Sequence, residues 1–150
     1  MLSVITVCLN CKDQIEKTMI SILTQKDADI EYIIKDGGST DGTNDIVDKV
    51  FGEYKNDRIR TMHVSESDTG IYDAMNRAAA LASGDHVIFM NAGDMFYDED
   101  VVRMTAQYFE ENADVLFGNT VYTMPVPTCV IRLIFPPRSR VITQSLLWTL

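Results

Sequence analysis

The sequence predicts an α/β protein, a three-layer α/β/α domain on a mostly parallel central sheet. Short apolar runs alternate with segments of helical periodicity, which is the pattern of successive βαβ units. The opening run LSVITVCL is β-branched and almost wholly apolar, as suits a central parallel strand covered on both faces. Three polar clusters, Asn10–Asp13, Asp36–Thr43 and Asn91–Asp94, each follow a predicted strand. Right-handed crossovers would bring all three to one sheet edge, where open parallel sheets bind their ligands.

Taken in order, Leu2 to Leu9 is the first strand, and Asn10 to Asp13 supplies turn and N-cap chemistry. From Gln14 to Thr24, Ile15, Met19, Ile22 and Leu23 fall on one helical face. Ile30 to Lys35 is the second strand, broken by DGGSTDGT, in which Thr43 can cap a helix carrying Ile46, Val47 and Val50. Arg58 to Ser65 is a weaker third strand. Ile71, Ala74, Met75, Ala78, Ala79 and Ala82 then recur at helical spacing and predict an apolar face of small residues. Ser83-Gly84-Asp85 ends that helix, and His86 to Met90 reads as a buried strand with an unusually polar exit, NAGD. Asp98 to Asn112 is a further helix with Val101, Val102, Thr105 and Phe109 inward, and Val115 to Tyr122 a fifth strand. Beyond it all four prolines crowd between Pro125 and Pro137, Thr128 to Phe135 suits an outer strand, and Ser145 to Leu150 is apolar to its last residue.

A chain of 150 residues suffices for one core, and 46% hydrophobic with 23% charged residues is ordinary for a globular protein. A net charge of -9 without a basic patch argues against direct nucleic-acid binding, which needs clustered Lys and Arg. An acidic protein still accepts an anionic nucleotide when a divalent cation stands between them. The N-terminus lacks the basic region of a signal peptide, no apolar run approaches the ~20 residues of a bilayer span, and three cysteines fit a reducing compartment. The expectation is a cytoplasmic chain, with peripheral attachment at the inner membrane face left to parts outside it.

The polar clusters each have a structural and a functional reading. DGGSTDGT suits a strand-to-helix connection, but it also puts Asp36 at a strand end, where it can accept an N–H from a nucleobase, and lets a ligand approach the backbone at Gly37 and Gly38. It is neither a P-loop, since no Gly-Lys-Ser/Thr follows, nor an EF-hand, since Gly38, Thr40 and Asp41 occupy the wrong positions. Cys8 and Cys11 have dithiol spacing, yet no proline precedes Pro125 to complete a thioredoxin-like site, so they read as packed thiols. Asp73 reads as a helix-capping residue, whereas Asp68 can reach the crevice of Asp36. His63 and His86 lie in extended runs and read as structural. In NAGD, Asp94 is placed to hold a hard cation that takes its remaining oxygens from phosphate and water.

Together SVITVCLN, IIKDGGSTDGT and ESDTGIYDAMNRAAALASGDHVIFMNAGD resemble, in order and spacing, the family 2 glycosyltransferases of GT-A fold, over roughly residues 2–122. The middle segment is most similar to the branch that builds bacterial cell-surface polysaccharides. The resemblance implies inverting transfer of a sugar from a UDP- or GDP-sugar to a hydroxyl of a saccharide or lipid-linked acceptor. It implies that the backbone around Val7 to Leu9, with Asp36 and Asp68, holds the nucleoside. It also implies that Asn91 and Asp94 face the diphosphate, with Asp94 the ligand of Mn²⁺ or Mg²⁺. Two departures stand out. Gly37 replaces the second aspartate of the common Asp-Asp-Gly-Ser form, and Asn91 and Gly93 replace acidic residues of the metal motif.

On that basis residues 1–122 are expected to form the nucleotide-sugar-binding half of a GT-A domain and 123–150 the incomplete start of the acceptor side. No carboxylate follows Asp114, and Thr143-Gln144-Ser145 stands where related sequences carry His-Gln-Ser, so no catalytic base is assigned. The alternative is a non-catalytic nucleotide-sugar-binding module or an inactive truncated fragment. A sugar nucleotidyltransferase is disfavoured because VCLNCKD is not the Gly-rich, Arg-containing loop such an enzyme carries after its first strand.

Overall fold

The computed structural model describes residues 1–109, 119–123 and 128–132. Their elements run β1 (Leu2–Cys8), α1 (Lys12–Leu23), β2 (Ile30–Asp36), α2 (Thr43–Glu53), β3 (Ile59–Ser65), α3 (Ile71–Leu81), β4 (His86–Phe89), β5 (Met95–Phe96), α4 (Val101–Phe109), β6 (Asn119–Thr123) and β7 (Thr128–Arg132). The main sheet has the order β3-β2-β1-β4, and every pair in it is parallel. Each strand is reached through a helix, as parallel neighbours require.

The two faces of the sheet follow from the period-two alternation of strand side chains. Leu2 and Val4 of β1, with Ile30, Tyr32 and Ile34 of β2, join Ile15, Met19 and Ile22 of α1, Val47 and Val50 of α2, and Val101 and Val102 of α4 in one apolar cluster. Ile5, Val7 and Ile33 point the other way and pack against Ala74 and Ala78 of α3. Both central strands are thus covered on both faces, which explains why LSVITVC reads as a continuous apolar run. Each fully buried aliphatic side chain contributes about 1.5–3 kcal/mol.

The α3 face is narrower than its spacing predicts. Ala74 and Ala78 are buried, but Ile71 is 56% exposed and Ala79 is also exposed. In an alanine-rich helix several phases look equally apolar, and close packing on Ile5, Val7 and Ile33 selects only the stripe that faces them. The fifth strand also differs from expectation. Residues 119–122 belong to β6, which pairs antiparallel with β7 in a second sheet of order β5-β7-β6 instead of extending the parallel one. Residues 115–118, 110–112 of the expected helix, 133–135 of the expected outer strand, the four prolines and 143–150 lie outside the described residues.

A buried polar knot fixes where α3 gives way to β4. Glu31, 2% exposed, accepts hydrogen bonds from Ser3 Oγ at 2.6 Å and from Ser83 N and Oγ, both at 2.7 Å. Burial would raise its pKa; the Ser3 and Ser83 donors outweigh burial and hold the carboxyl below its ordinary value.

Candidate functional site

The strand order reverses at β1, with β2 and β3 on one side and β4 on the other, so the carboxyl ends of β1 and β4 flank the topological switch point. The last paired position of β4 is Phe89 opposite Ile5, while β1 continues through Thr6, Val7 and Cys8 beside β2. This overhang opens a step at the sheet edge. Val7 turns its side chain into the core, leaving only backbone for a ligand, whereas Leu9 is 59% exposed.

Register sets Cys8, Asp36 and Ser65 side by side at the ends of β1, β2 and β3. Asp36 is fully buried, and its carboxylate is taken up within the protein. Oδ2 accepts from Gly38 N at 2.9 Å, Ser39 N at 2.8 Å, Ser65 Oγ at 2.7 Å and Asn44 Nδ2 at 3.3 Å. Oδ1 accepts a short bond from Ser39 Oγ and a contact from the Cys8 thiol at 3.8 Å. Burial disfavours the charge, but these donors prevail and hold the carboxyl at about 2. A carboxylate offers about four lone-pair positions, so a base N–H would have to displace a donor already in place. The side chain that sequence reading directs at a nucleobase is instead spent on folding its loop.

That loop is stitched to the neighbouring one. Asn10 N donates to Ser39 Oγ at 2.7 Å, and Thr40 N to Asn10 Oδ1 at 2.9 Å. The N-terminal amides of α1 are satisfied from across the gap, Cys11 N by Thr43 Oγ1 at 3.0 Å and Lys12 N by Asp41 Oδ2 at 3.1 Å. Cys11 is thus the N-cap residue of α1 through its backbone alone, with no side-chain cap bond, and Thr43 is the first residue of α2 behind the N-cap Gly42. Pairings between residues about thirty apart carry no local signal, so sequence reading missed them.

Asp68 differs from Asp36. Its side chain is 10% exposed; Gly70 N donates to Oδ1 at 3.0 Å, and Lys35 Nζ lies 3.5 Å from Oδ2. Lys35 is itself buried, with Nζ donating to the carbonyls of Asp36, at 2.8 Å, and Glu66.

The NAGD segment is aligned along α1. Gly93 N donates to Thr18 Oγ1 at 2.8 Å, Asp94 N to the Asn91 carbonyl at 3.0 Å, and Phe96 N to Ser21 Oγ at 3.2 Å. Gly93 takes a left-handed conformation at φ 101. Asn91 and Asp94 are both half-buried at the end of β4. Among the described residues no three His, Cys, Asp or Glu side chains cluster as a ready cation cage. A carboxylate and an amide oxygen at an open edge are hard donors, and they fit a Mg²⁺- or Mn²⁺-like ion that arrives with its diphosphate better than one bound before it.

The remaining candidates have structural partners. Asp73 accepts from Thr69 N at 3.0 Å and pairs with Arg77, which together hold its carboxyl low. His63 bridges Asn44 Oδ1 at 2.9 Å and Asp48 Oδ1 at 3.3 Å. Cys8 and Cys11 are free and half-buried. Their mutual hydrogen bond and burial push Cys8 well above the usual thiol range, and the same bond draws Cys11 down.

The sequence model of Glycosyl transferase family 2 matches residues 3–143. A PGL/p-HBAD biosynthesis glycosyltransferase of Mycobacterium bovis is 34% identical over 81% of this chain and 47% of its own length. The putative teichuronic acid biosynthesis glycosyltransferase TuaG of Bacillus subtilis is 33% identical over 83% of this chain and 47% of its own. The chain thus spans about half the length of these curated relatives. Among solved structures, the mannosyltransferase PcManGT from Pyrobaculum calidifontis, in complex with GDP-Man and Mn²⁺, superposes with TM-score 0.69 at 22% identity over 81% of this chain and 35% of that one. TarS 1-349 of S. aureus with UDP-GlcNAc does so with TM-score 0.67 at 23% identity over 84% and 36%. These two likenesses bear on the fold alone.

Proposed function

The chain belongs to glycosyl transferase family 2, and on that premise we propose that it forms the donor-binding half of a metal-dependent, inverting glycosyltransferase of cell-surface polysaccharide synthesis. In this reading residues 1–122 hold a nucleotide sugar, and the segment from 123 onward begins the acceptor side. The observation that carries it is that the β1 overhang, the partly exposed carboxylate of Asp68 after β3, and Asn91 with Asp94 after β4 all lie at the carboxyl-end edge of one parallel sheet whose strand order reverses at β1. The nucleoside lies against the backbone of Val7 to Leu9, with Asp68 at its base and Asp36 behind the wall as the residue that shapes the loop. The diphosphate extends toward Asn91 and Asp94. A divalent cation bound there supplies charge neutralisation for the leaving diphosphate, with Asp94 its protein carboxylate.

Relatives named for PGL/p-HBAD and teichuronic acid biosynthesis support the polysaccharide context. Neighbours solved with GDP-Man and UDP-GlcNAc support a nucleotide-sugar donor, and the one with Mn²⁺ supports the cation. A cytoplasmic site at the inner membrane face suits a lipid-linked acceptor; no described helix is long and apolar enough to cross a membrane.

The test is calorimetric titration of GDP and UDP with Mn²⁺ and again with chelator. Metal-strengthened binding of at least one is expected, and no binding of either rejects the donor-site reading. A donor-binding module without turnover would give the same titrations, and Mn²⁺-dependent release of sugar from GDP-mannose or UDP-GlcNAc by this chain would exclude it.

A further inference from the structure

Cys8 ends β1 and Cys11 is the N-cap residue of α1, so the two thiols flank the turn that joins those elements. Asn10 makes that turn in a left-handed conformation, φ 52, which asparagine tolerates better than most residues with a Cβ. The neighbouring loop holds it there, since Asn10 N donates to Ser39 Oγ and Thr40 N to Asn10 Oδ1. The turn brings the thiols within hydrogen-bond reach of each other, beside one apolar cluster. Both are free and half-buried, and Leu9 and Asn10 between them are exposed, so the pair borders solvent.

The two thiols are not equivalent. Cys11 stands at the positive end of α1, which favours a thiolate. The hydrogen bond from Cys8 outweighs burial and draws its pKa down. Cys8 keeps its proton, placed between the Cys11 sulfur and Asp36 Oδ1, the latter 3.8 Å away. The geometry is that of an attacking thiol with a resolving thiol beside it.

We infer that Cys8 and Cys11 are a redox-modification site, a dithiol that closes to a disulfide by exchange with a small-molecule disulfide and displaces the wall of the donor crevice. The Cys11 thiolate attacks one sulfur of the small disulfide, forms a mixed disulfide and expels one small thiolate. That step removes the Cys11 acceptor that held the Cys8 proton. Cys8 then loses this proton to the expelled thiolate and attacks the Cys11 sulfur, forming the Cys8–Cys11 bond and releasing the second small thiol. Two protein thiols are oxidised and one small disulfide is reduced to two thiols. A disulfide holds its sulfurs about 2.05 Å apart, closer than hydrogen-bonded thiols, so closure draws the end of β1 toward the start of α1. Both ends are tied to the Asp36–Thr43 loop, the Cys8 carbonyl by Gly37 N at 2.9 Å and Cys11 N by Thr43 Oγ1 at 3.0 Å. Closure also takes the Cys8 S–H away from Asp36 Oδ1. The backbone that shifts includes Val7 to Leu9, so the effect on nucleotide binding rests on the donor-binding reading above, whereas the disulfide itself does not.

The test uses the chain with Cys129→Ser as parent, so that only this pair can react. Reduced protein is treated with oxidised glutathione at neutral pH and quenched in acid, and the tryptic peptide from Met1 to Lys12 is sequenced by mass spectrometry. The expected product is that peptide lacking two hydrogens and restored by dithiothreitol. Cys8→Ser should stop at glutathione on Cys11, and Cys11→Ser should react about tenfold more slowly than Cys8→Ser. Substoichiometric iodoacetamide on the parent, which needs no further variant, should label Cys11 before Cys8. A lasting glutathione adduct on the parent without closure, or label on Cys8 first, overturns the inference. Calorimetry with Mn²⁺ and UDP or GDP then compares the reduced and oxidised parent. Oxidation should weaken binding about tenfold, the scale of one displaced hydrogen bond, and reductant should restore it. Equal affinity in the two states overturns the effect on the crevice. No binding in either state overturns the donor-site reading and that effect with it, while the disulfide is still decided by its mass.

Discussion

Ser65 Oγ donates to Asp36 Oδ2 at 2.7 Å across a register that places the two residues opposite one another at the ends of β3 and β2. The bond is one of several on that carboxylate, so the two partners are not equivalent under mutation. Ser65→Ala removes one donor from an acceptor that keeps three others on the same oxygen, and should cost about 1 kcal/mol. Asp36→Ala strands the amides of Gly38 and Ser39 and the hydroxyls of Ser39 and Ser65, and should cost about 2–4 kcal/mol. Urea unfolding midpoints at constant slope measure both. Equal effects would show that Asp36 does not organise the loop.

The same carboxylate predicts an acid transition. Its folded pKa, about 2, lies below its ordinary value, so the stabilisation is fully present above pH ~4 and is lost as pH falls through about 2. For this buried group the loss is on the order of 2 kcal/mol. Glu31, also depressed and buried, adds a contribution of the same sign. Asp36→Asn should therefore be less stable at pH 7 but flatter in stability between pH 4 and about 2. Parallel wild-type and variant acid limbs in denaturant titrations would refute this.

Two glycines that look alike in sequence should respond oppositely to alanine. At Gly84 a Cβ would lie 2.6 Å from Ser3 Oγ, 2.8 Å from Ser3 N and 2.9 Å from the Met1 carbonyl. Backbone atoms of β1 cannot yield, so Gly84→Ala should destabilise by about 1–3 kcal/mol. Gly52 is exposed near the end of α2, with nothing within 4 Å of an added Cβ. Gly52→Ala should stabilise by about 0.5–1 kcal/mol through helix propensity and a less disordered unfolded chain. Thermal unfolding of the two variants reads both signs.

The contrast marks what the sequence can express. The parallel core was legible, because LSVITVC and IEYIIKD are dominated by β-branched and other apolar residues and are buried almost throughout. The convergence of the three polar clusters followed from topology alone. What stayed hidden was every relationship that depends on distant residues meeting. Ser83-Gly84-Asp85 reads as a helix stop, yet Gly84 is needed because β1 passes against it. Gly37 reads as room for a ligand, whereas the room is filled by Asp68. Asp36 reads as a ligand-facing carboxylate, and the six donors that claim it are spread from Cys8 to Ser65.

Asp94 and Thr18 together separate metal binding from nucleoside binding. Asp94 lies half-buried past the end of β4, on a loop whose Gly93 amide is fixed to Thr18 Oγ1 of α1 at 2.8 Å. If Asp94 is the protein carboxylate of the cation, Asp94→Ala should abolish the gain in nucleotide affinity that Mn²⁺ brings and leave affinity in chelator unchanged. Thr18→Val keeps the carboxylate but removes the acceptor for the Gly93 amide, so the loop is no longer held at its depth. Its Mn²⁺-dependent gain should fall by about tenfold, the usual scale for losing an orienting partner behind a metal ligand. Titrations with and without chelator distinguish the two effects. A Mn²⁺-dependent gain that survives Asp94→Ala would remove Asp94 from the cation site, and one that survives Thr18→Val would show that α1 does not set the loop's position.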